Sequence, residues 1–120
     1  MSAWDKIAVG ALLFVVCDTL TAVSAVKYLE HHAYKKADAA RLDISQLQVA
    51  VDAYYARNAR YPEQLAVLVD AGTLRLTNDP WGNPYVYTLV NGAPVIASYG
   101  ADGKPGGEGR DADLTNQERR

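Results

Sequence analysis

Between Ala11 and Tyr61 the chain contains neither proline nor glycine. Within that run Ala22, Val26, Leu29, Ala33, Ala37, Ala40, Ile44, Leu47, Val51 and Tyr54 follow one another at spacings of four and three. Such spacing keeps them on one face of a helix. The pattern predicts one continuous helix from about Asp5 to Ala56, which at 1.5 Å per residue would span roughly 75 Å. A chain of 120 residues makes a globule far smaller than that. The first half of the helix must therefore be buried in a membrane, in other subunits, or in both.

The composition of that first half agrees. Ile7 to Val26 is 20 residues long with one charge, Asp18, about the length a helix needs to cross a bilayer. Asp18 is expensive against lipid and calls for a partner or a packed interface. A secretory signal peptide with a cleavage site near Val23-Ser24-Ala25 and a buried soluble helix are the competing readings. The apolar pattern runs through that cleavage site without a break, which favours a transmembrane helix. Further along, the stripe becomes alanine-rich, and alanine lets neighbouring backbones approach. Residues 1–33 thus read as a segment buried in a membrane or against other subunits, and 34–120 as a head that includes the second half of the helix. His31 and His32 point about 100° apart on a helix and suit a metal poorly.

The head begins where the helix ends. Asn58-Ala59-Arg60-Tyr61-Pro62 closes it, because Pro62 steers Tyr61 away from helical angles. A short amphipathic helix follows over Glu63–Asp70, with Gly72 as its C-terminal cap, and Leu74 and Leu76 pack onto the head. Tyr85–Val90 and Ala93–Ser98 are two strand-like runs around Asn91-Gly92, a strong hairpin signal. A two-residue turn sets Thr88 opposite Val95 and Val86 opposite Ala97. Pro94 demotes the second strand to an edge, or marks its first residue. The small antiparallel sheet rests on the second half of the long helix, with Trp81 beside it, and the tail from Leu114 to Arg120 reads as polar and frayed. The fold class is α+β.

What the head does turns on Asp79–Asp113. Five glycines fall between positions 100 and 109, bracketed by aspartates. Such a segment buries little and loses much backbone entropy on ordering. Oxygen-rich side chains on a glycine-rich loop suit a hard cation, most plausibly calcium, with Asp102, Asp111 and Asp113 as candidates. The alternative is a mobile loop with solvated acids. The EF-hand spacing is absent, and so are the P-loop and dinucleotide fingerprints. The only cysteine, Cys17, lies in the apolar stretch, so no intrachain disulfide can staple the head. A net charge of −2 argues against nucleic-acid binding through phosphate neutralisation. The head has no histidine, no cysteine and no nucleophile beside an evident base, so catalysis finds no footing.

Asp79-Pro80-Trp81-Gly82-Asn83-Pro84-Tyr85, then Ser98-Tyr99-Gly100-Ala101-Asp102-Gly103, then Gly106-Gly107-Glu108-Gly109 and Asp111-Ala112-Asp113 resemble the major pseudopilins of type II secretion systems. Arg60-Tyr61-Pro62 fits the same family. The resemblance covers about residues 35 to 114. It implies a pilin-like fold in which one long N-terminal helix packs against a small antiparallel sheet with a calcium-stabilised C-terminal loop. It implies calcium ligands on Asp102, Asp111 and Asp113 with the carbonyl of Tyr99, and a further one near Arg110. It implies a homo-oligomeric helical filament in the periplasm that promotes protein export. Its partners would be other pseudopilins and an inner-membrane assembly platform, with membrane lipid before assembly.

The N-terminus departs from the family pattern. It lacks the glycine cleavage site followed by Phe-Thr-Leu-Ile-Glu, and no proline precedes Pro62. Asp5 stands where the family has its early glutamate if Met1 is a mature, methylated first residue, and would there meet the N-terminal amine of a neighbouring subunit. Met1 as the start of an unprocessed relative is the alternative. The rival functions are a surface pilin for adhesion, motility or DNA uptake, and a membrane-anchored calcium-binding module that never polymerises.

Overall fold

In a computed structural model of the chain, residues 3–72, 74, 75 and 78–119 are described, with side chains among them from residue 21 to residue 117. A single helix, α1, runs over Ala3–Asn58. The chain divides into two compact units, Met1–Ala33 and Tyr34–Arg120.

The first unit is the N-terminal part of α1. Val26 and Leu29 of the apolar stripe are more than half exposed, as are Val23 and Tyr28 beside them, so among the described residues little covers that part of the stripe. The side chains of Asp5 and Asp18 lie outside the described residues, as do those of most of the apolar run. Among the described residues no helix is long and apolar enough to cross a membrane.

In the second unit the stripe does what its spacing requires. Ala40, Ile44, Leu47 and Val51 are buried, and Ala37 and Tyr54 flank them. Each fully buried valine, leucine or isoleucine side chain contributes about 1.5–3 kcal/mol. The helix stops at Asn58, whose side-chain amide donates to the Tyr54 carbonyl (2.9 Å). Ala59 then turns left-handed (φ 56°) and donates its N–H to the Tyr55 carbonyl (2.8 Å). Pro62 is buried, and its carbonyl accepts the Tyr87 hydroxyl (2.8 Å). A short helix, α2 (Ala66–Asp70), lays Leu68 into the core. Gly72 follows it with φ 69°, the left-handed cap expected. Leu74 is buried as expected, and Leu76 lies outside the described residues.

The sheet has three antiparallel strands in the order β1 (Val86–Val90), β2 (Ala93–Ser98), β3 (Leu114–Thr115). Thr88 pairs with Val95 and Val86 with Ala97, the register that the Asn91-Gly92 turn dictates. Two expectations are corrected. Pro94 lies neither on an edge strand nor at a first residue, since β2 is central. It pairs with Leu89, one step beyond the residues that flank the turn. At alternate positions of an antiparallel pair the backbone N–H points away from the partner. The missing N–H of Pro94 therefore faces the far side, where β3 pairs only with Ala97 and Ser98.

The tail is the second correction. Leu114 is buried, Leu114–Thr115 form the third strand, and a 3₁₀ turn covers Asn116–Arg119. Asn116 locks this end. Its Oδ1 accepts the Ile96 N–H (3.0 Å), while its Nδ2 donates to the Pro94 carbonyl (2.9 Å) and to Gln48 Oε1 on α1 (2.6 Å). This amide takes the place of the ladder that β3 is too short to provide.

Candidate functional site: the C-terminal loop

The loop leaves β2 at Tyr99 and returns at Asp113, and its two ends touch backbone to backbone. Ala101 N–H donates to the Arg110 carbonyl (2.9 Å). Gly100 makes this approach possible. Its φ is +67°, and a Cβ there would lie 2.8–3.0 Å from backbone atoms of Arg110, Asp111 and Ala112. Gly107 is closer still, since its Cβ would meet the Asp111 carbonyl oxygen at 2.6 Å. These glycines are demanded by geometry rather than by flexibility.

Inside the loop, carboxylates accept backbone N–H groups. Asp102 Oδ1 accepts from Lys104 (3.0 Å), and Asp113 Oδ2 accepts from Gly106 (2.9 Å). A 3₁₀ turn over Gly109–Asp111 completes the return. Asp111 Oδ1 lies 3.7 Å from Arg110 Nε. Both are well exposed, so that pair contributes little. The remaining oxygen, Asp113 Oδ1, is buried and has no hydrogen-bond partner. Leaving a buried polar atom unpaired costs about 1–3 kcal/mol, and more for a charged group. The structure therefore places Asp102, Asp111, Asp113 and Tyr99 on one loop without gathering the three acids. Among the described residues no three His, Cys, Asp or Glu side chains form a metal-sized cluster.

The loop rests on a turn whose polar role the sequence left unread. Asp79 is buried. Its Oδ1 accepts the N–H groups of Trp81 (3.0 Å) and Asn83 (2.9 Å), and its Oδ2 accepts the hydroxyl of the fully buried Ser98 (2.6 Å). Asp79 N–H in turn donates to the Asn83 carbonyl (2.7 Å), closing the turn. Asp79, four residues ahead of Asn83 and next to Pro80, carries a side-chain turn signal. Its partner Ser98, 19 residues away, carries none. The neighbouring Tyr85 donates its hydroxyl to Asp43 Oδ2 on α1 (2.7 Å). Burial first, then this hydrogen bond and the Asp43 charge, push the Tyr85 pKa far above the usual phenol value. Trp81 packs beside the core as expected. His31 and His32 are exposed in the N-terminal unit, with rings 6.4 Å apart.

A long N-terminal helix packed on a small antiparallel sheet, with a glycine-rich loop after the hairpin, defines a pilin-like α+β protein. Residues 27–117 match the family described as "Type II secretion system (T2SS), protein G". The chain belongs to that family, the major pseudopilins of type II secretion. It is 32% identical to the type II secretion system core protein G of Pseudomonas aeruginosa, over 88% of this chain and 87% of that protein. The core protein G of Vibrio cholerae is 37% identical over 62% of this chain and 63% of its own length. That of Escherichia coli is 40% identical over 62% of each.

Proposed function

We propose that this chain is a structural subunit of a type II secretion pseudopilus. It waits in the inner membrane through the N-terminal half of α1 and is assembled with other pseudopilins into a periplasmic helical filament that promotes export. The family match over residues 27–117 carries this reading. The exposed Val26 and Leu29 on α1 support it, because burying such a stripe between neighbouring copies drives association. If Met1 is the mature first residue, Asp5 would neutralise the N-terminal amine of a neighbouring subunit within that core.

The loop is read as a calcium site with a structural role. The unpaired, buried Asp113 Oδ1 fits a hard cation with oxygen ligands. Asp113 would be the principal carboxylate, with Asp102 and Asp111 and the carbonyls of Tyr99 and its loop neighbours completing the set. Calcium would supply a positive charge beside Asp113, which makes no ion pair among the described residues, and the chain's own glycines hold the backbone close enough to offer carbonyls. No catalytic step is assigned.

Deleting the gene in its host tests the first part. Loss of proteins exported across the outer membrane is expected, and an unchanged set of exported proteins overturns the reading. Calcium titration of the full chain in detergent micelles tests the second. The wild type should melt higher with calcium and Asp113→Ala should not respond. A wild type indifferent to calcium removes the site.

A further inference from the structure

We infer that Asn83 sets the position of the C-terminal loop against the head and so positions its carboxylates for the cation; the second clause rests on the calcium reading above. The carboxamide of Asn83 touches the loop at two points. Its Nδ2 donates to the Gly100 carbonyl (3.0 Å), across 17 residues of sequence. It also lies flat against Gly103, where a Cβ would come within 2.9 Å of Asn83 Oδ1. Gly100 and Gly103 bracket Asp102, one of the candidate ligands. One planar group therefore fixes the near arm of the loop at both ends of that ligand.

Asn83 is itself held. Its N–H and carbonyl are both engaged by Asp79 (2.9 and 2.7 Å). The other Asp79 oxygen holds Ser98, and Ser98 Oγ accepts the Gly100 N–H (3.3 Å). The bonds close a ring through Asp79, Asn83, Gly100 and Ser98. Moving Gly100 breaks the ring at two places, so the loop's position is specified by the turn rather than by the loop's own sparse contacts. The backbone at position 83 does not ask for asparagine, because its φ is not left-handed, whereas those of Ala59 and Asn91 are. The side chain, not the turn, is what this position uses. The amide must donate, since a carbonyl oxygen faces it.

Two variants of the full chain in detergent micelles separate this from a general structural role. Asn83→Ala removes the amide. Asn83→Asp keeps its shape and turn preference but sets an acceptor against the Gly100 carbonyl. Hydrogen–deuterium exchange over 99–107 should rise about tenfold in both, the effect of one lost charge-free hydrogen bond at a buried acceptor. Exchange over 44–51 in α1 should stay as in the wild type. Calcium should bind about tenfold more weakly to both variants. Wild-type exchange over 99–107 in Asn83→Asp overturns the inference. So does loss of protection over 44–51 in both variants, which marks Asn83 as a general fold determinant. A wild type that binds no calcium at millimolar concentration removes the calcium reading and the cation clause with it, while the exchange data still decide whether Asn83 sets the loop.

Discussion

Gly106 and Gly107 offer a controlled comparison of adjacent residues. Both are exposed and both have left-handed backbones, with φ +89° and +94°. A Cβ at Gly106 would meet nothing within 4 Å, whereas one at Gly107 would lie 2.6 Å from the Asp111 carbonyl oxygen. That distance is about 0.8 Å inside ordinary van der Waals contact. Both alanine variants carry the backbone strain of an L-residue at positive φ, about 1–3 kcal/mol. Gly107→Ala adds an overlap with backbone that no side-chain rotation relieves, a further ~1–3 kcal/mol. In a head of this size each kcal/mol shifts Tm by about 4–8 °C. Gly107→Ala should therefore melt about 5–20 °C below Gly106→Ala. Near-UV circular dichroism of the full chain in micelles reads the head's packing directly. Should the two variants melt within about 2 °C of each other, the close approach of the loop's arms contributes nothing and the reasoning fails.

Asp79→Ala leaves the hydroxyl of Ser98 and two backbone N–H groups without their acceptor. It should lower head stability by about 3–5 kcal/mol in chemical denaturation, and Asp79→Asn by less, since one oxygen remains. Asn116→Ala removes three hydrogen bonds that tie the tail to β2 and α1, and a loss of about 2–4 kcal/mol is expected. A frayed tail would predict none. Tyr85 gives a pH test. Its folded pKa is raised, so its contribution is complete below the unfolded phenol value of about 10 and is lost as pH rises above it. Wild-type stability should therefore fall above pH ~10 more steeply than that of Tyr85→Phe, and parallel curves would refute the coupling.

The features legible in the sequence were those with a local physical signature. Four-and-three spacing on a run without proline or glycine gave α1 and the face that carries Ile44, Leu47 and Val51. Asn91-Gly92 gave the hairpin and its register, because a two-residue turn leaves no other pairing. Tyr61-Pro62 and Gly72 marked ends that backbone sterics enforce. The misses share a cause. Leu114 and Thr115 are too short a run to read as a strand, and only β2, already in place, gives them a partner. Pro94 reads as an edge or first-residue signal by a rule about N–H groups that does not bind where the third strand stops short.

The loop divides in the same way. Glycines and aspartates made it visible as a segment in need of something to hold it. Composition did not say which aspartate keeps an unpaired oxygen, because that depends on Gly106 taking one oxygen of Asp113 and burial isolating the other. Nor did it show that Asp79, Asn83 and Ser98 form the floor, since hydrogen bonds between residues 19 and 17 apart leave no periodicity to read. The sequence by itself determined the helix, the hairpin and the family pattern, whose causes act within a few residues. Only the tertiary structure decided how the loop is held, because its partners become neighbours only once the sheet has folded.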